Sequence, residues 1–245
     1  MRLLAFVVAS AAALPLPADL PTVPRLIQAA QPVYCAGIRG RNVALTFDDG
    51  PSPYTLQLVS VLRRAHAHAT FFDVGSRVGL WPEAARASLE VGEIGNHTWS
   101  HAHLIGLSLR DTISELVETQ RAIGLELGTV PRLFRPPYDQ AEPVDDLLAR
   151  QLSLLDVRWS VDTGDSRPGA VPRAIAQAAI AGLRPGAIIL LHDPHAWTAS
   201  VARKVLRAVR RKHLRAVTVS ELLARQPPSA EQLASTGGAR CPRPS

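Results

Sequence analysis

Short apolar runs alternate along this chain with segments of helical spacing, and this alternation limits the folds that the chain can adopt. Residues 43–47 form the first apolar run, and residues 54–66 follow with leucines and valines three and four positions apart. Residues 187–191 form the clearest buried strand near the other end. Apolar runs of this length are typical of parallel strands buried on both faces, which need helical connections. The chain therefore predicts an α/β fold.

The alternation continues through most of the sequence. The predicted strands are residues 43–47, 69–74, 93–96, 133–134, 152–161, 187–191 and 216–219. The predicted helices are residues 54–66, 81–91, 108–128, 144–151, 171–183 and 201–212, with a short one from residue 220. A length of 245 residues permits one large domain or two small ones. Six or seven strand–helix repeats favour a (β/α) barrel of one domain and seven strands, although the pattern also permits an open sheet.

The N-terminus has the features of a targeting signal. Arg2 supplies a positive start, residues 3–16 are apolar, and small residues offer a cut around Ala9 to Ala13 or after Ala18. The stretch is short and contains prolines, so we expect no stable membrane insertion after cleavage; an uncleaved anchor is the alternative. We predict a signal peptide at 1–18, an N-terminal extension at 19–40, the main domain at 41–225 and a Pro-rich tail at 226–245. The protein is then expected to be secreted, extracellular or associated with a cell wall.

The two cysteines fit an oxidising compartment. Cys35 precedes the first predicted strand and Cys241 lies near the C-terminus. Two such cysteines most simply form a disulfide, while free or intermolecular thiols are the alternative. The chain-entropy model gives a bridge over so long a loop an upper value of roughly 5 kcal/mol.

The chain is basic, with 27 Lys and Arg against 21 Asp and Glu and a net charge of +6. This excess favours anionic surroundings such as a cell wall or nucleic acid. However, no run of Arg and Lys is interleaved with aromatic residues. We therefore interpret the charge as a solvated basic surface and expect no nucleic-acid partner.

Polar clusters follow the predicted strands at the point where each strand ends. In βα barrels the carboxyl ends of the strands form the face that carries the active site. The clusters are Asp48-Asp49 after the first strand, His97, Arg135, Asp162 with Asp165, and His192-Asp193. We therefore expect these side chains to lie close together.

The residue types in these clusters suit metal-assisted hydrolysis. His97 and His101 are four residues apart, a spacing that places both on one face of a helical turn. Either Asp48 or Asp49 would complete a facial set, and the other would remain free as a general base. Alone, the histidine pair would be interpreted as ordinary surface or core residues; the adjacent aspartates favour a metal. His103 is excluded because its spacing from His101 is that of a strand.

Arg135 and His192 each have two interpretations. Arg135 is either a surface cation or a buried guanidinium that holds a carboxylate ionised and oriented. His192 follows four apolar residues and is either a core histidine or a half-buried general acid. A metal-bound water beside a free base can hydrolyse an amide or an ester.

These motifs, in order, resemble the five motifs of the polysaccharide deacetylase family, the NodB-homology domain of carbohydrate esterases. The resemblance covers roughly residues 42–223. Thr-Phe-Asp-Asp-Gly-Pro-Ser at 46–52 resembles the first motif, and His-Thr-Trp-Ser-His at 97–101 the second. It implies that Asp48 is the catalytic base and that Asp49, His97 and His101 bind the metal.

The remaining motifs assign further roles by resemblance. Arg-Pro-Pro-Tyr at 135–138 implies that Arg135 orients the base and that the backbone N–H of Tyr138 helps to hold the oxyanion. Asp162 and Asp165 match the fourth motif, which implies that Asp165 pairs with the catalytic His192 of the fifth. The implied catalytic residues are thus Asp48, Arg135, Tyr138, Asp165 and His192, and the implied substrate contacts are Pro137, Tyr138 and Leu190.

The resemblance also implies a fold and a reaction. The fold would be a distorted (β/α) barrel, and the cofactor Zn²⁺, or Co²⁺ or another divalent metal. The partner would be an acetylated polysaccharide or oligosaccharide. Residues 41–225 would form the catalytic domain, hydrolysing N-acetyl groups of amino sugars in peptidoglycan or chitooligosaccharide to acetate and free amine. The alternatives are an O-acetyl esterase of xylan type and an inactive, metal-binding relative that binds glycans.

Two positions depart from the family pattern. Asp139 stands where the family has glycine, and Ser166 where it has tryptophan. The first change adds a carboxylate near the mouth of the site, and the second removes a ring from the pocket. Trp159 and Trp197 are the candidates to replace that ring. We expect both changes to affect how a substrate fits the site more than they affect the reaction itself.

Overall fold

The computed structural model describes residues 22–29, 31–233 and 241. Its strands are β1 (Asn42–Gly50), β2 (Ala69–Asp73), β3 (Gly92–Asn96), β4 (Leu133–Phe134), β5 (Leu155–Asp156), β6 (Val161–Asp162), β7 (Ile188–His192) and β8 (Arg215–Val217). The helices are α1 (Thr22–Ala29), α2 (Thr55–Ala65), α3 (Gly75–Val78), α4 (Pro82–Glu90), α5 (Leu109–Leu127), α6 (Pro143–Gln151), α7 (Pro172–Gly182), α8 (Thr198–Arg211), α9 (Val219–Arg225) and α10 (Ala230–Leu233). A short 3₁₀ helix spans Pro137–Asp139.

The strands form one parallel sheet with β1 near its centre. Seven of the strands follow the order β5-β4-β3-β2-β1-β7-β6, and β8 pairs with the first half of β1. β1 buries every residue from Val43 to Asp48, as expected for a strand covered on both faces. Phe47 and Phe71 stack between sheet and helices with ring centroids 5.7 Å apart. The prediction of a single-domain, distorted (β/α) barrel is confirmed.

The sheet curls without closing, and a segment near the N-terminus lies across the opening. Val33 forms a parallel bridge with Val157, just beyond β5, and Cys35 forms an antiparallel bridge with Ala187, just before β7. Backbone hydrogen bonds fix both contacts, from Val33 N to Asp156 O (2.9 Å) and from Ala36 N to Gly186 O (2.9 Å). Residues 33–36 therefore join the two sides of the distorted barrel.

Two details differ from the sequence predictions. The segment 152–161 is not one extended strand, since β5 and β6 are two-residue strands separated by residues 157–160. The apolar pattern of the helix at 108–128 predicts one buried face with Ile113, Leu116, Val117 and Ile123. On α5, Leu116 and Ile123 are buried, but Ile113 and Val117 are 38% and 37% exposed. Thr112 and Thr119 occupy the buried face instead. Successive residues of this buried face, Thr112, Leu116, Thr119 and Ile123, are four, three and four positions apart. These spacings follow the helical period more closely than those of the predicted apolar set.

The ends of the described chain are tied to each other. Cys35 and Cys241 form a disulfide with Cα atoms 5.8 Å apart, which confirms that prediction. The Gln226 side chain donates to Gly37 O at 2.7 Å, and Gln232 donates to Ala36 O at 3.1 Å. The predicted signal peptide at 1–18 lies outside the described residues. In the part of the chain that the structure describes, no helix has the length and apolar character needed to cross a membrane.

Candidate active site

A bulge in β1 brings two adjacent carboxylates to one place. Neighbouring residues of a regular strand point to opposite faces, but the pairing of β1 with β2 shifts between Asp48 and Gly50. Asp49 takes a left-handed backbone conformation, with φ of 67°. As a result His97 Nε2 lies 3.9 Å from Asp48 Oδ2 and 3.3 Å from Asp49 Oδ1. Arg77 donates to the backbone oxygen of Asp49 and supports the bulge.

The two histidines come from the loop that follows β3. The prediction that they share a helical turn is wrong, because Thr98 and His101 have φ values of 63° and 62° and the chain bends. The Asn96 side chain anchors the bend: its oxygen accepts from Thr98 N at 2.9 Å, and its nitrogen donates to Leu116 O at 2.8 Å. The bend still brings the rings together, with centroids 5.0 Å apart.

Asp49, His97 and His101 form a group that fits a divalent cation. Their candidate ligand atoms all lie within 4.8 Å of one another, and Asp49 Oδ1 is 3.0 Å from His101 Nε2. His97 Nδ1 lies 2.6 Å from Arg135 O, a carbonyl that can only accept, so Nδ1 carries the proton and Nε2 presents a lone pair. His101 Nδ1 faces the Tyr138 hydroxyl at 3.0 Å. Asp49 Oδ1 is buried without a hydrogen-bond donor, so a metal would satisfy all three atoms.

The environment of Asp49 favours its ionised form. Burial by itself raises the pKa of this carboxyl, but the neighbouring imidazoles of His101 and His97 outweigh burial and hold the pKa well below its ordinary value. An ionised carboxylate and two imidazole nitrogens suit zinc and related divalent metals.

Arg135 holds Asp48 in place from a fully buried position. Its Nη1 donates to Asp48 Oδ1 and to Thr46 Oγ1, each at 2.7 Å. The other donors are used by backbone oxygens, Nε by Val157 O at 2.8 Å and Nη2 by Arg158 O at 3.0 Å. The guanidinium also lies over the Phe72 ring, 4.1 Å from its centroid. Arg135 is therefore no surface cation, since its contacts fix the Asp48 carboxylate.

His192 and Asp165 form a second pair at the same edge of the sheet. His192 ends β7 directly opposite Asp48 in the register with β1. One oxygen of Asp165 lies 2.8 Å from His192 Nδ1, and the other accepts from His192 N at 2.7 Å. Burial lowers the pKa of His192, but the Asp165 carboxylate, together with the charges of Asp48 and Asp49, raises it to about 9. His192 therefore carries a proton at neutral pH, as a general acid requires.

The remaining predicted residues lie around this edge. Pro137 is buried and Tyr138 is exposed on the turn after β4, where Tyr138 has φ of 61°. The Tyr138 ring stacks on His103, with centroids 3.7 Å apart. Leu190 is buried on β7, two residues before His192. Their contacts with a substrate stay predictions.

Comparisons with known proteins agree with this geometry. Residues 38–157 match the family model described as polysaccharide deacetylase. The chain is 39% identical over 164 residues to a chitooligosaccharide deacetylase of Sinorhizobium fredii, covering 64% of this chain and 74% of that relative. The chain belongs to the polysaccharide deacetylase family.

Other members of the family are similar in sequence and in structure. The peptidoglycan-N-acetylmuramic acid deacetylase PdaC of Bacillus subtilis is 37% identical over 186 residues, covering 74% of this chain. The chain spans 38% of the length of PdaC. A family 4 carbohydrate esterase from Streptomyces lividans, solved in complex with acetate, superposes with a TM-score of 0.69 at 34% identity, covering 72% of this chain and 92% of that one.

The two departures from the polysaccharide deacetylase pattern have different structural settings. Asp139 accepts from Arg158, whose Nε also donates to both oxygens of Asp156 at 2.8 and 2.9 Å. The added carboxylate is therefore paired rather than free. Ser166 is exposed, and the half-buried Trp159 lies beside Arg135, 5.5 Å from its guanidinium carbon. Trp197 stacks on His195 instead.

Several supporting residues escaped the sequence analysis. Thr46 bridges Arg135 and the oxygen of Ile189, and its only signal was a polar side chain inside an apolar strand. Arg158 and Asn96 act through partners 19 and 20 residues away. No pattern of neighbouring residues in the sequence predicts contacts across such separations.

Breaking the Asp165–His192 pair is expected to change how stability depends on pH. The raised pKa of His192 contributes stability that is fully present below about pH 6.5 and is lost as pH rises through about 9. Asp165→Asn should remove most of it, on the order of 3 kcal/mol at pH 6 at 1.4 kcal/mol per pKa unit. Urea unfolding of metal-free protein at pH 6 and pH 9.5 measures the difference. Asp162→Asn is the matched control, since Asp162 is exposed and pairs with Arg167; equal pH slopes in both variants would contradict the assignment.

Two substitutions of Asp139 should distinguish the effect of its ion pair on stability from the effect of its backbone conformation. Asp139 has φ of 58°, where a Cβ is unfavourable. Asp139→Gly and Asp139→Ala both lose the contact with Arg158, but only the alanine keeps the Cβ. We expect the glycine variant to be more stable by about 1 kcal/mol. Chemical denaturation measures the difference, and an alanine variant as stable as the glycine variant would show that the turn relaxes.

Proposed function

We propose that the protein is a secreted, metal-dependent carbohydrate deacetylase that hydrolyses N-acetyl groups of amino sugars, in peptidoglycan or chitooligosaccharide, to acetate and free amine. The supporting observation is the convergence of three groups at the carboxyl ends of the strands. These are the Arg135–Asp48 pair, the cluster of Asp49, His97 and His101, and the Asp165–His192 pair. The names of the relatives support the substrate class.

Asp49, His97 and His101 would hold the metal, zinc, cobalt or another divalent ion. When bound, such an ion polarises an amide carbonyl and lowers the pKa of a coordinated water.

The protein's own groups supply the proton transfers. Asp48, oriented by Arg135, accepts the proton of the attacking water. His192, protonated and held by Asp165, donates a proton to the leaving amine nitrogen. The two groups lie opposite each other on β1 and β7, so base and acid can act from neighbouring strands.

The turn after β4 and the end of β7 would bind the acetyl group. The backbone N–H of Tyr138 is the proposed donor to the oxyanion, and one such donor is worth about 3 kcal/mol of transition-state stabilisation. Pro137 and Leu190 would line the pocket for the methyl group. Because Tyr138 also faces His101 through its hydroxyl, its position would be coupled to that of the metal ligand.

Two alternatives use the same residues. An O-acetyl esterase of xylan type needs the same base and metal but depends less on a general acid, because an alkoxide leaves more readily than an amide anion. The Asp165–His192 pair, which can protonate the leaving nitrogen, therefore supports amide hydrolysis. An inactive glycan-binding relative would keep the metal cluster without the acid and base pairs, and this chain has both.

Acetate release by zinc-loaded residues 19–245 tests the proposal. The panel contains chitooligosaccharide, peptidoglycan and acetylated xylan, with chelator-treated protein as the control. We expect zinc-dependent release from the amino-sugar substrates. Release from xylan alone would establish the O-acetyl esterase, and zinc binding with no release from any substrate would establish the inactive relative.

A further inference from the structure

A basic groove lies at the end of the barrel opposite the candidate active site. It is a cavity of about 870 Å³ between α2, α8 and the chain that leads into β1, β2 and β8. Arg41 precedes β1, residues 66–68 lead into β2, and residues 213 and 214 lead into β8, whereas the proposed catalytic groups lie at the carboxyl ends of the strands. The groove is therefore separate from the proposed chemistry.

The charges in the groove are nearly all of one sign. Among the described residues, seven arginines and three histidines line it, against the single carboxylate of Glu221. Glu221 lies 3.4 Å from His68 and 3.6 Å from Arg225. The other six arginines make no ion pair with any carboxylate in the described ranges 22–29, 31–233 and 241. So many unpaired cations in one concavity repel one another and attract a polyanion.

α8 supplies the continuous part of this surface. Arg203, Arg207 and Arg210 recur at spacings of four and three residues and are exposed, while Val205 and Val209 between them are buried. This arrangement holds three guanidinium groups in a row along one face of a helix. A ligand with regularly spaced anionic groups could contact several of these guanidinium groups at once.

The residue types indicate the chemistry of the ligand. Among the described residues that line the groove, the seven cationic residues other than histidine are all arginines, and none is a lysine. Arginine binds phosphate through two parallel N–H donors. The same lining residues include no Phe, Tyr or Trp, so bases would lack the large aromatic rings on which single-stranded nucleic acids usually stack. We propose that this groove binds a linear polyanion that carries repeated phosphate groups and no bases.

Titration with inorganic polyphosphate tests the proposal. Calorimetry on the metal-free, full chain at low and physiological salt should show binding that weakens as salt rises. The combined variant Arg203→Gln, Arg207→Gln and Arg210→Gln should bind roughly tenfold or more weakly, because several phosphate contacts are lost. The matched control is Arg110→Gln, Arg121→Gln and Arg173→Gln, exposed residues of α5 and α7 outside the groove. It lowers the net charge equally and should change affinity by less than about twofold.

The outcomes separate specific binding from general charge attraction. Equal losses in the two triple variants would overturn the proposal in favour of diffuse electrostatics, as would no binding by the wild type at physiological salt. Duplex DNA, single-stranded RNA or anionic vesicles binding as tightly as polyphosphate would overturn the ligand class. Thermal unfolding checks that both variants are folded. Acetate release should be unchanged by the groove variant, and the binding result does not depend on whether the protein is a deacetylase.

Discussion

Replacing Asp48 with Asn is expected to abolish acetate release while leaving zinc binding intact. Asp48 is the only carboxylate that contacts both Arg135 and the edge of the metal cluster among the described residues. Asparagine keeps the shape of the aspartate side chain but cannot accept the proton of the attacking water. Loss of a positioned general base typically costs 10²- to 10⁴-fold in rate, so we expect a fall of roughly this size in kcat. Acetate release and zinc titration measure the two effects.

Asp49→Asn is the matched comparison, since it changes the adjacent residue in the same way. It should weaken zinc binding as well as activity, because Asp49 belongs to the cluster with His97 and His101. A normal rate in Asp48→Asn would remove Asp48 from its proposed role. Zinc loss from Asp48→Asn, equal to that from Asp49→Asn, would place both carboxylates on the metal.

Replacing Arg135 with Leu should produce the largest loss of stability. The guanidinium is completely buried and is contacted by Asp48, Thr46 and two backbone oxygens. Its removal leaves the Asp48 carboxylate buried without a partner, and breaking a buried pair in this way costs about 3–5 kcal/mol. Urea unfolding gives the free energy directly, and activity should fall with it because Asp48 loses its orientation.

A double variant separates the ion pair from the packing of Arg135. Combining Arg135→Leu with Asp48→Asn removes both charges. The double variant should therefore lose less free energy of unfolding than the two single variants lose in sum. Simple additivity would show that the two side chains do not depend on each other. The loss would then come from the backbone contacts of Arg135 and its stacking on Phe72.

The sequence predicted which polar side chains lie together better than it predicted their local conformations. Apolar runs ending in Asp48-Asp49, Asn96-His97 and His192 were enough to place these groups together, because parallel strands bring their carboxyl ends to one edge. The buried pattern of residues 43–48 is a strong signal for such a strand. The disulfide followed from having two cysteines in a predicted oxidising compartment.

Long-range contacts and unusual backbone angles had no comparable signal. The i, i+4 spacing of His97 and His101 indicated a helical turn, but Asn96 stabilises a bend with two left-handed residues. Asp139 was expected to add a carboxylate near the mouth of the site, and its pairing with Arg158, 19 residues away, had no local signal. The basic groove gathers side chains from helices and strand starts across the whole chain, which no sequence window contains.

The disulfide between Cys35 and Cys241 also determines how the protein would respond to a pulling force. A force applied to the chain on either side would pass directly through the bond, because its two Cα atoms are 5.8 Å apart. Among the described residues, those before Cys35 lie outside the disulfide loop and could be drawn out, and residues 22–34 would add about 45 Å of contour length at roughly 3.5 Å each. Drawing out this segment would break the contacts of Val33 with Asp156 and Val157 at the edge of the sheet, but the cluster around Asp49 and the Asp165–His192 pair would bear no load. Mechanical tension on the chain would therefore leave the geometry of the candidate active site undisturbed for as long as the bond remained oxidised.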